Sequence, residues 1–397
     1  MIRWFVPGRL EVFGKHTDYA GGRSILAAVD RGVTIELSDF DGPGIVATST
    51  AVSGEITVLP HQDLDLPAGH WGHYIKAVAD RLVLNFGEIK PARIAVDSTL
   101  PLASGMSSSS ALVVAVALAL IDHNGLREDP RWLATVLDDV DLAGYMACFE
   151  NGMPFKELAG FKGVGTFGGS EDHTAMLCCR ENQLSEFSFC PIVERGAVDF
   201  PDEWSFVVAV SGVLAEKTGD ALEAYNDASL LARELVEEWN SATGRDDAVL
   251  ADALATEDGL EGMRAIAASD PELVARLNAF VTESEVAIPR AMEAFRTRDL
   301  KALGDAADLS HRNADATLGN QIAETNALQE LARGLGAHAA AGFGAGFGGS
   351  VWALIETDKA EDFAAHWLAA YKAQFPEPGS RATTLVTRPG PAAHRAL

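Results

Sequence analysis

Basic residues are scarce in this chain. There are 31 Lys and Arg against 57 Asp and Glu, a formal net charge of −26. A field of that sign repels phosphate backbones and anionic lipid surfaces, which argues against nucleic-acid and membrane partners. It leaves room for a nucleotide, because a local set of backbone amides, one cation and a metal ion can hold a triphosphate. No segment reaches the roughly 18 apolar residues that span a bilayer; the longest apolar run, Ala111 to Ile121, falls short. The start, Met1-Ile2-Arg3-Trp4, has no apolar signal region. Cys148, Cys178, Cys179 and Cys190 make no C-x-x-C pair, and adjacent cysteines rarely bridge each other. Free thiols in a reducing, cytoplasmic setting are expected. Also missing are G-x-x-x-x-G-K-[ST], H-E-x-x-H, zinc-spaced cysteines and a G-x-S-x-G with a plausible serine nucleophile, which excludes the chemistry each of them carries.

What is present is ordinary globular composition, 48% hydrophobic and 22% charged over 397 residues. That length suits two or three domains or one large α/β unit. Ile45 to Val58 reads as one or two strands, His73 to Leu84 as a helix and Arg93 to Thr99 as a strand. Ala111 to Ile121 is apolar all round and predicts a buried helix. Asp129 to Phe149 predicts another, with Asp129 as N-cap and Pro130 at its first position. Trp204 to Val210 reads as a strand. Ala221 to Phe295 reads as several helices, and Thr325 to Leu335 as one more. Ser350 to Ile355 and Thr383 to Thr387 read as strands. The order is α+β in two halves, with a boundary between Phe189 and Pro201 and a loose tail after Pro389.

Three stretches of small residues stand out. Pro101-Leu102-Ala103-Ser104-Gly105-Met106-Ser107-Ser108-Ser109-Ser110 follows a strand and opens the buried helix. Unpaired amides and the positive dipole end suit phosphate there, and Gly105 permits close backbone approach. The hydroxyls can cap the helix, bind phosphate or ligate magnesium. Gly342-Phe343-Gly344-Ala345-Gly346-Phe347-Gly348-Gly349 precedes the strand at Ser350, and its glycines suit a ligand-facing loop or a structural turn. Pro7 to Gly22 brings Arg9, Lys15, His16 and Asp18 close together, a mix that can clamp phosphate and bind hydroxyls or remain a solvated charged loop.

Together the three stretches resemble the three motifs of the GHMP kinase superfamily, most closely its galactokinase branch. The stretch from Pro7 resembles P-G-R-x-N-x-I-G-E-H-T-D-Y-x-G-G, that from Pro101 resembles P-x-G-x-G-L-S-S-S-A, and the glycine-rich stretch resembles G-A-G-F-G-G. Trp71-Gly72-His73-Tyr74, Tyr225-Asn226, Ser310-His311 and Gly336-Ala337 fall in the matching order. The resemblance implies a two-domain α+β GHMP kinase fold, with a ribosomal S5 domain 2-like N-terminal domain over 1–195 and a ferredoxin-like C-terminal domain over 196–397. It implies ATP and Mg2+ as cofactors and transfer of phosphate to the anomeric hydroxyl of galactose or a related monosaccharide, by a monomer or homodimer. By the same resemblance Arg9 and Asp172 are the catalytic pair, Asp172 orienting or deprotonating the sugar hydroxyl. Lys15, His16, Asp18 and Tyr225 fall at sugar-binding positions. Trp71 is placed against adenine, and Gly105, Ser107, Ser108 and Ser109 at phosphate. Magnesium falls to Ser109 or Ser108 with Glu150.

The chain departs from the family pattern at several positions. Lys15 replaces a glutamate that accepts a bond from the sugar's hydroxymethyl group, and lysine has no acceptor. A uronic acid such as galacturonate is therefore an alternative substrate, unless Lys15 turns away toward a nearby acid such as Glu11. Glu11 replaces an asparagine, His173 a glutamine, Ala103 a glycine and Ser110 an alanine. A non-catalytic sugar and ATP sensor is a further reading, opposed by the presence of Arg9, Asp172 and the serines. A mevalonate- or homoserine-type kinase is opposed by His16-Thr17-Asp18-Tyr19, which suits a polyhydroxy substrate.

Overall fold

A computed structural model describes residues 1–67, 69–101, 105–213 and 220–396. Leu102, Ala103 and Ser104 of the serine-rich stretch lie outside the described residues.

Two antiparallel strands, β1 (Ile2–Phe13) and β2 (Arg23–Asp39), form the spine of a large sheet. Neither is legible from periodicity, because Pro7-Gly8 and Asp30-Arg31-Gly32 interrupt both apolar patterns. The structure tolerates the interruption through a bulge, with the register shifting between Pro7 and Arg9 and Pro7 facing Gly32. The strands β3 (Ile45–Ser49), β4 (Glu55–Val58) and β5 (Ala92–Ser98) extend one side in the order β1-β2-β5-β3-β4, and only β3 and β5 run parallel. On the other stretch of β2 lie β6 (Gln183–Ser188) and then β7 (Val193–Asp199). The strand β7 runs through the expected boundary at 195.

A smaller antiparallel sheet comprises β8 (Trp204–Val210), β9 (Ala339–Phe343), β10 (Ser350–Glu356) and β11 (Thr383–Thr387), in the order β11-β8-β10-β9. Both sheets carry helices, so the fold is mixed α+β, as the sequence predicts. The helix α1 (Gly72–Phe86) packs on α2 (Ser108–Asn124), whose residues Ser110 to Ile121 are all buried against β1 and β2. Apolar side chains on every face leave α2 no solvent side, and that rigidity holds its N-terminus fixed.

The predicted helix from Asp129 to Phe149 is two helices, α3 (Pro130–Thr135) and α4 (Asp139–Asn151). Asp129 caps the first as expected, accepting from the Arg131 amide. Val136 is extended, and Asp138 caps a new helix by accepting from the Asp141 amide. A short acid that bonds its own backbone is what breaks the run. Next comes α5 (Glu171–Cys178), and then α6 (Asp220–Thr243), α7 (Leu250–Leu254), α8 (Gly259–Ala267) and α9 (Pro271–Phe280). These last four share an apolar core of their own around Leu235, Trp239, Met263 and Phe280. A π-helical turn (281–287) joins α9 to α10 (Ile288–Thr297), followed by α11 (Leu300–Asn313), α12 (Ala323–Gly334) and α13 (Ala360–Gln374).

The tail after Pro389 is strapped down, contrary to expectation. A short strand, β12 (His394–Arg395), pairs with Trp4 and Phe5 of β1. The Gly390 amide donates to Ala28 O, and the Arg395 guanidinium reaches Asp122 at 2.8 Å. These backbone and ionic partners are non-local, so no pattern within the tail announces them. All four cysteines are free, and among the described residues no helix is long and apolar enough to cross a membrane.

Candidate active site

The bulge in β1 aims Arg9 out of the sheet toward the start of α2. Its amide donates to Met106 O at 3.2 Å, which ties the strand to the serine-rich stretch. Its guanidinium donates through Nε to Asp172 Oδ1 at 2.7 Å and through Nη1 to Gly105 O, and stands 3.8 Å from Glu171 Oε1. Burial alone would lower the Arg9 pKa, but Asp172, Glu11 and Glu171 more than offset it, so the charge is permanent. Asp172 occupies the first turn of α5, where the helix dipole favours a carboxylate. Its other oxygen, Oδ2, accepts from Ser110 Oγ at 3.2 Å. Three elements distant in sequence therefore converge: β1, the first turn of α2 and the first turn of α5.

Ser107 enters α2 in the left-handed conformation and makes no side-chain cap, and no acid stands in the first turn. Such an end leaves amides directed outward and suits an anion. The glycine-rich loop closes over it. Gly344 has φ +77°, and a Cβ there would lie 3.1 Å from Gly105 O and 3.7 Å from Arg9 Nη2. Glycine is needed at this position both for its backbone and for the approach. Glu11 Oε2 accepts from the Gly344 amide at 3.2 Å, fixing the loop from below.

The turn 14–19 leads from β1 to β2 beside this cluster. Asp18 is buried and accepts from the Tyr19 amide (2.8 Å) and the Glu171 amide (3.1 Å), so its two oxygens are aimed by the backbone. Burial raises the Asp18 carboxyl above its usual range, against the pull of these two amides. Gly169 passes so close that a Cβ would lie 2.4 Å from Asp18 Oδ2, and Tyr225 Oη would be 2.7 Å from a Cβ on Gly168. The Tyr225 ring lies 5.0 Å from that of His16, tilted by 53°. The structure thus gathers Arg9, Asp172, Asp18, His16 and Tyr225 around the segment 168–172.

Lys15 does not join them as the uronate reading requires. Its ammonium, only 2% exposed, donates to Ser310 Oγ at 2.7 Å and lies 3.7 Å from Glu283 Oε1. Glu283, on the π-helical turn, also accepts from the Gly14 amide at 2.9 Å and Ser310 Oγ at 2.8 Å. Lys15 therefore turns away to an acid, and that acid is Glu283 rather than the Glu11 suggested by sequence proximity.

Glu11 and Glu171 are a second feature the sequence does not display. Both are buried beside Arg9, and Glu171 Oε2 accepts from Ser24 Oγ at 2.6 Å. Burial pushes Glu11 up to about 7, and Glu171 well above its ordinary value. Ser110, Glu171 and Glu283 join the site through partners far away in sequence, which leave no local signal.

Trp71 stands at the start of α1, partly buried against the main core and stacked 5.9 Å from His70. Glu150, at the end of α4, accepts or shares a bond with His173 Nε2 at 3.1 Å. Among the described residues no three His, Cys, Asp or Glu side chains form a ready metal cluster.

Comparison with known proteins gives the same outline. Residues 2–39 match the family model "Galactokinase galactose-binding signature", 73–151 match "GHMP kinases N terminal domain" and 291–373 match "GHMP kinases C terminal". A galactokinase of Chloroflexus aggregans is 28% identical over 370 residues, covering 92% of this chain and 86% of that protein. One of Thermococcus kodakarensis is 26% identical over 377 residues, covering 94% and 95%. The structure of Lactococcus lactis galactokinase complexed with galactose superposes with a TM-score of 0.79 at 22% identity, covering 100% of this chain and 95% of that one. The L. major mevalonate kinase complexed with R-mevalonate superposes at 0.57 and 18% identity, covering 98% and 96%. This chain belongs to the GHMP kinases, the class its fold and its three converging loops define. Its N-terminal strands carry the galactokinase signature, and its activity is that of an ATP-dependent sugar kinase.

Proposed function

We propose that the chain transfers the γ-phosphoryl group of ATP to the anomeric hydroxyl of galactose, and that Arg9 and Asp172 carry the step. The observation that supports this most is the 2.7 Å bond between them beside Gly105 O and the open start of α2. In the proposed reaction the sugar's anomeric oxygen attacks the γ-phosphorus, the bond to the β-phosphate breaks and ADP leaves. Asp172, paired with Arg9, orients the hydroxyl and accepts its proton. Arg9 neutralises charge on the oxygen between them. Transfer of this kind depends on positioning and charge neutralisation more than on covalent catalysis. Asp18 and Tyr225 hold sugar hydroxyls, while Gly105, Ser107, Ser108 and Ser109 hold phosphates and Trp71 faces adenine.

Magnesium fits the residues present: Ser109 and Glu150 offer hard oxygen donors, and His173 orients the carboxylate from behind. When bound with the nucleotide, the ion supplies charge neutralisation on the β- and γ-phosphates. Ser109 and Glu150 would hold the ion from the protein side, and phosphate oxygens and water would complete its shell. The residues proposed for the step all lie in this chain, so the reaction as proposed calls on no second subunit, whether the protein is a monomer or a homodimer. The free thiols suit a cytoplasmic setting.

Galactose is favoured over galacturonate because the Lys15 ammonium is paired with Glu283 and so is not free to meet a carboxylate. A coupled ADP-release assay over a panel of sugars tests both points. Galactose should exceed galacturonate by at least tenfold in kcat/KM, about 1.4 kcal/mol. Preference for galacturonate would reverse the assignment, and binding of sugar and ATP without ADP would make the chain a sensor.

A further inference from the structure

His16 stands at the position where the family resemblance expects a sugar contact, yet its ring is used inside the protein. Nδ1 lies 2.9 Å from Tyr19 Oη, and Nε2 lies 3.0 Å from Ala345 O. A carbonyl cannot donate, so Nε2 carries the proton and Nδ1 accepts from the Tyr19 hydroxyl. The Tyr19 oxygen accepts in turn from Arg276 Nη2 at 3.3 Å, and the guanidinium also lies over the Tyr19 ring, 5.5 Å from its centroid. Arg276, on α9 and 3% exposed, has no carboxylate among these contacts; it donates through Nη2 to His16 O at 2.6 Å and through Nε to Ala228 O of α6 at 2.9 Å. One buried cation therefore grips both the backbone of the 14–19 turn and the side chain that reaches out of it.

At the far end, Ala345 O also accepts from Asn320 Nδ2 at 3.2 Å, and Asn320 O accepts from the Phe347 amide at 2.7 Å. His16 thus pins the middle of the glycine-rich loop, one residue from Gly344, whose backbone abuts Gly105. The path runs from the helical layer α6–α9, through the turn that bears Asp18, to the loop that covers the start of α2. His16 holds φ +56°, a conformation that histidine and asparagine tolerate better than most residues, so the turn is built to present this ring.

We propose that Arg276, Tyr19 and His16 are positioning residues that tie the sugar-binding turn to the glycine-rich loop, so that sugar bound at Asp18 favours nucleotide binding at Gly105. The proposal rests on the kinase reading for the identity of the two ligands. Its physical basis is ordering: a sugar that stills the turn also stills Ala345 through His16, and the nucleotide then meets a loop already in place.

The test uses the full chain and three forms: wild type, Tyr19→Phe, which deletes only the hydroxyl, and His16→Asn, which keeps the left-handed turn but is too short to span Tyr19 and Ala345. The affinity of a non-hydrolysable ATP analogue is measured with and without saturating galactose. Wild type should bind it at least about fivefold more tightly with galactose present, within the usual range of coupling. Each variant should lose that dependence to less than twofold, with affinity for the analogue alone within about threefold of wild type. Equal coupling in wild type and variants, or none in wild type, overturns the proposal. A second arm reads the tie without any sugar. Amide exchange across 342–349 should quicken at least about tenfold in Tyr19→Phe, and unchanged exchange there overturns the proposal also. Should galactose fail to bind or turn over, the sugar assignment falls and the exchange arm alone decides the relay.

Discussion

Arg9 and Asp172, 163 residues apart in the chain, are joined by a 2.7 Å bond with Ser110 on the far oxygen of the carboxylate. The arginine comes from a bulged strand and the aspartate from a helix start, so both are held by backbone rather than by loop chance. Replacing Asp172 by Asn keeps the shape but removes the charge that receives a proton. Turnover should fall by about 10² to 10⁴ with sugar affinity within a few-fold of wild type, read by single-turnover phosphorylation and by sugar titration.

Gly344 is predicted to matter for nucleotide rather than sugar. Alanine there must hold a φ of +77° with its Cβ 3.1 Å from Gly105 O. The loop must retreat from the phosphate turn. Gly344→Ala should raise the KM for ATP at least about tenfold and leave the dissociation constant for sugar alone within threefold, a split visible in initial-rate kinetics and calorimetry.

The Lys15–Glu283 pair should be structural. Removing one partner strands a buried charge, and Lys15→Met should cost about 3 to 5 kcal/mol in denaturant unfolding. The double variant Lys15→Met with Glu283→Gln should recover a large part of that loss. The ratio of kcat/KM for galactose to that for galacturonate should stay within about threefold in the double variant, since in the proposed site Lys15 is committed to Glu283 rather than to the sugar.

Stability should fall as pH rises through neutrality. Glu11 is moved from 4.5 to about 7, chiefly by burial, so between those values the folded state holds more protons than the unfolded one. A carboxyl raised in this way stabilises the fold below its unfolded pKa and loses that contribution as pH climbs through the folded one. Glu171, also raised, acts in the same direction. His311, lowered by burial from 6.5 to about 4, acts oppositely, but only below 6.5. The clean window is therefore pH 6.5 to 7.5, where wild type should lose on the order of 1 kcal/mol. Glu11→Gln should flatten that slope in thermal or denaturant melts at fixed ionic strength.

Much of the architecture was legible because its elements carry local signals. The all-apolar face of α2, the Asp129-Pro130 start of α3 and the dense runs of β8 and β10 each declare themselves within a dozen residues. The three small-residue stretches were legible for the same reason, since a helix start that takes phosphate needs serine and glycine in fixed order. What stayed hidden depends on distance. The bulge at Pro7 disguised β1, and Asp138 broke a helix that reads as continuous. Pairing with β1 holds a tail whose composition looks loose. At the site, the Glu283 partner of Lys15 lies far away in sequence and is invisible to any window. The Tyr19 partner of His16 stands only three residues away, whereas its contact with Ala345 O is made only in three dimensions.

The most direct test of the central claim is phosphorus NMR of the purified protein with ATP, magnesium and galactose, run beside Asp172→Asn. The account predicts a new phosphate ester on the anomeric carbon, formed in step with ADP by wild type and at most about one hundredth as fast by the variant. Bound sugar and nucleotide with no ester, or an ester formed equally fast by the variant, would contradict it.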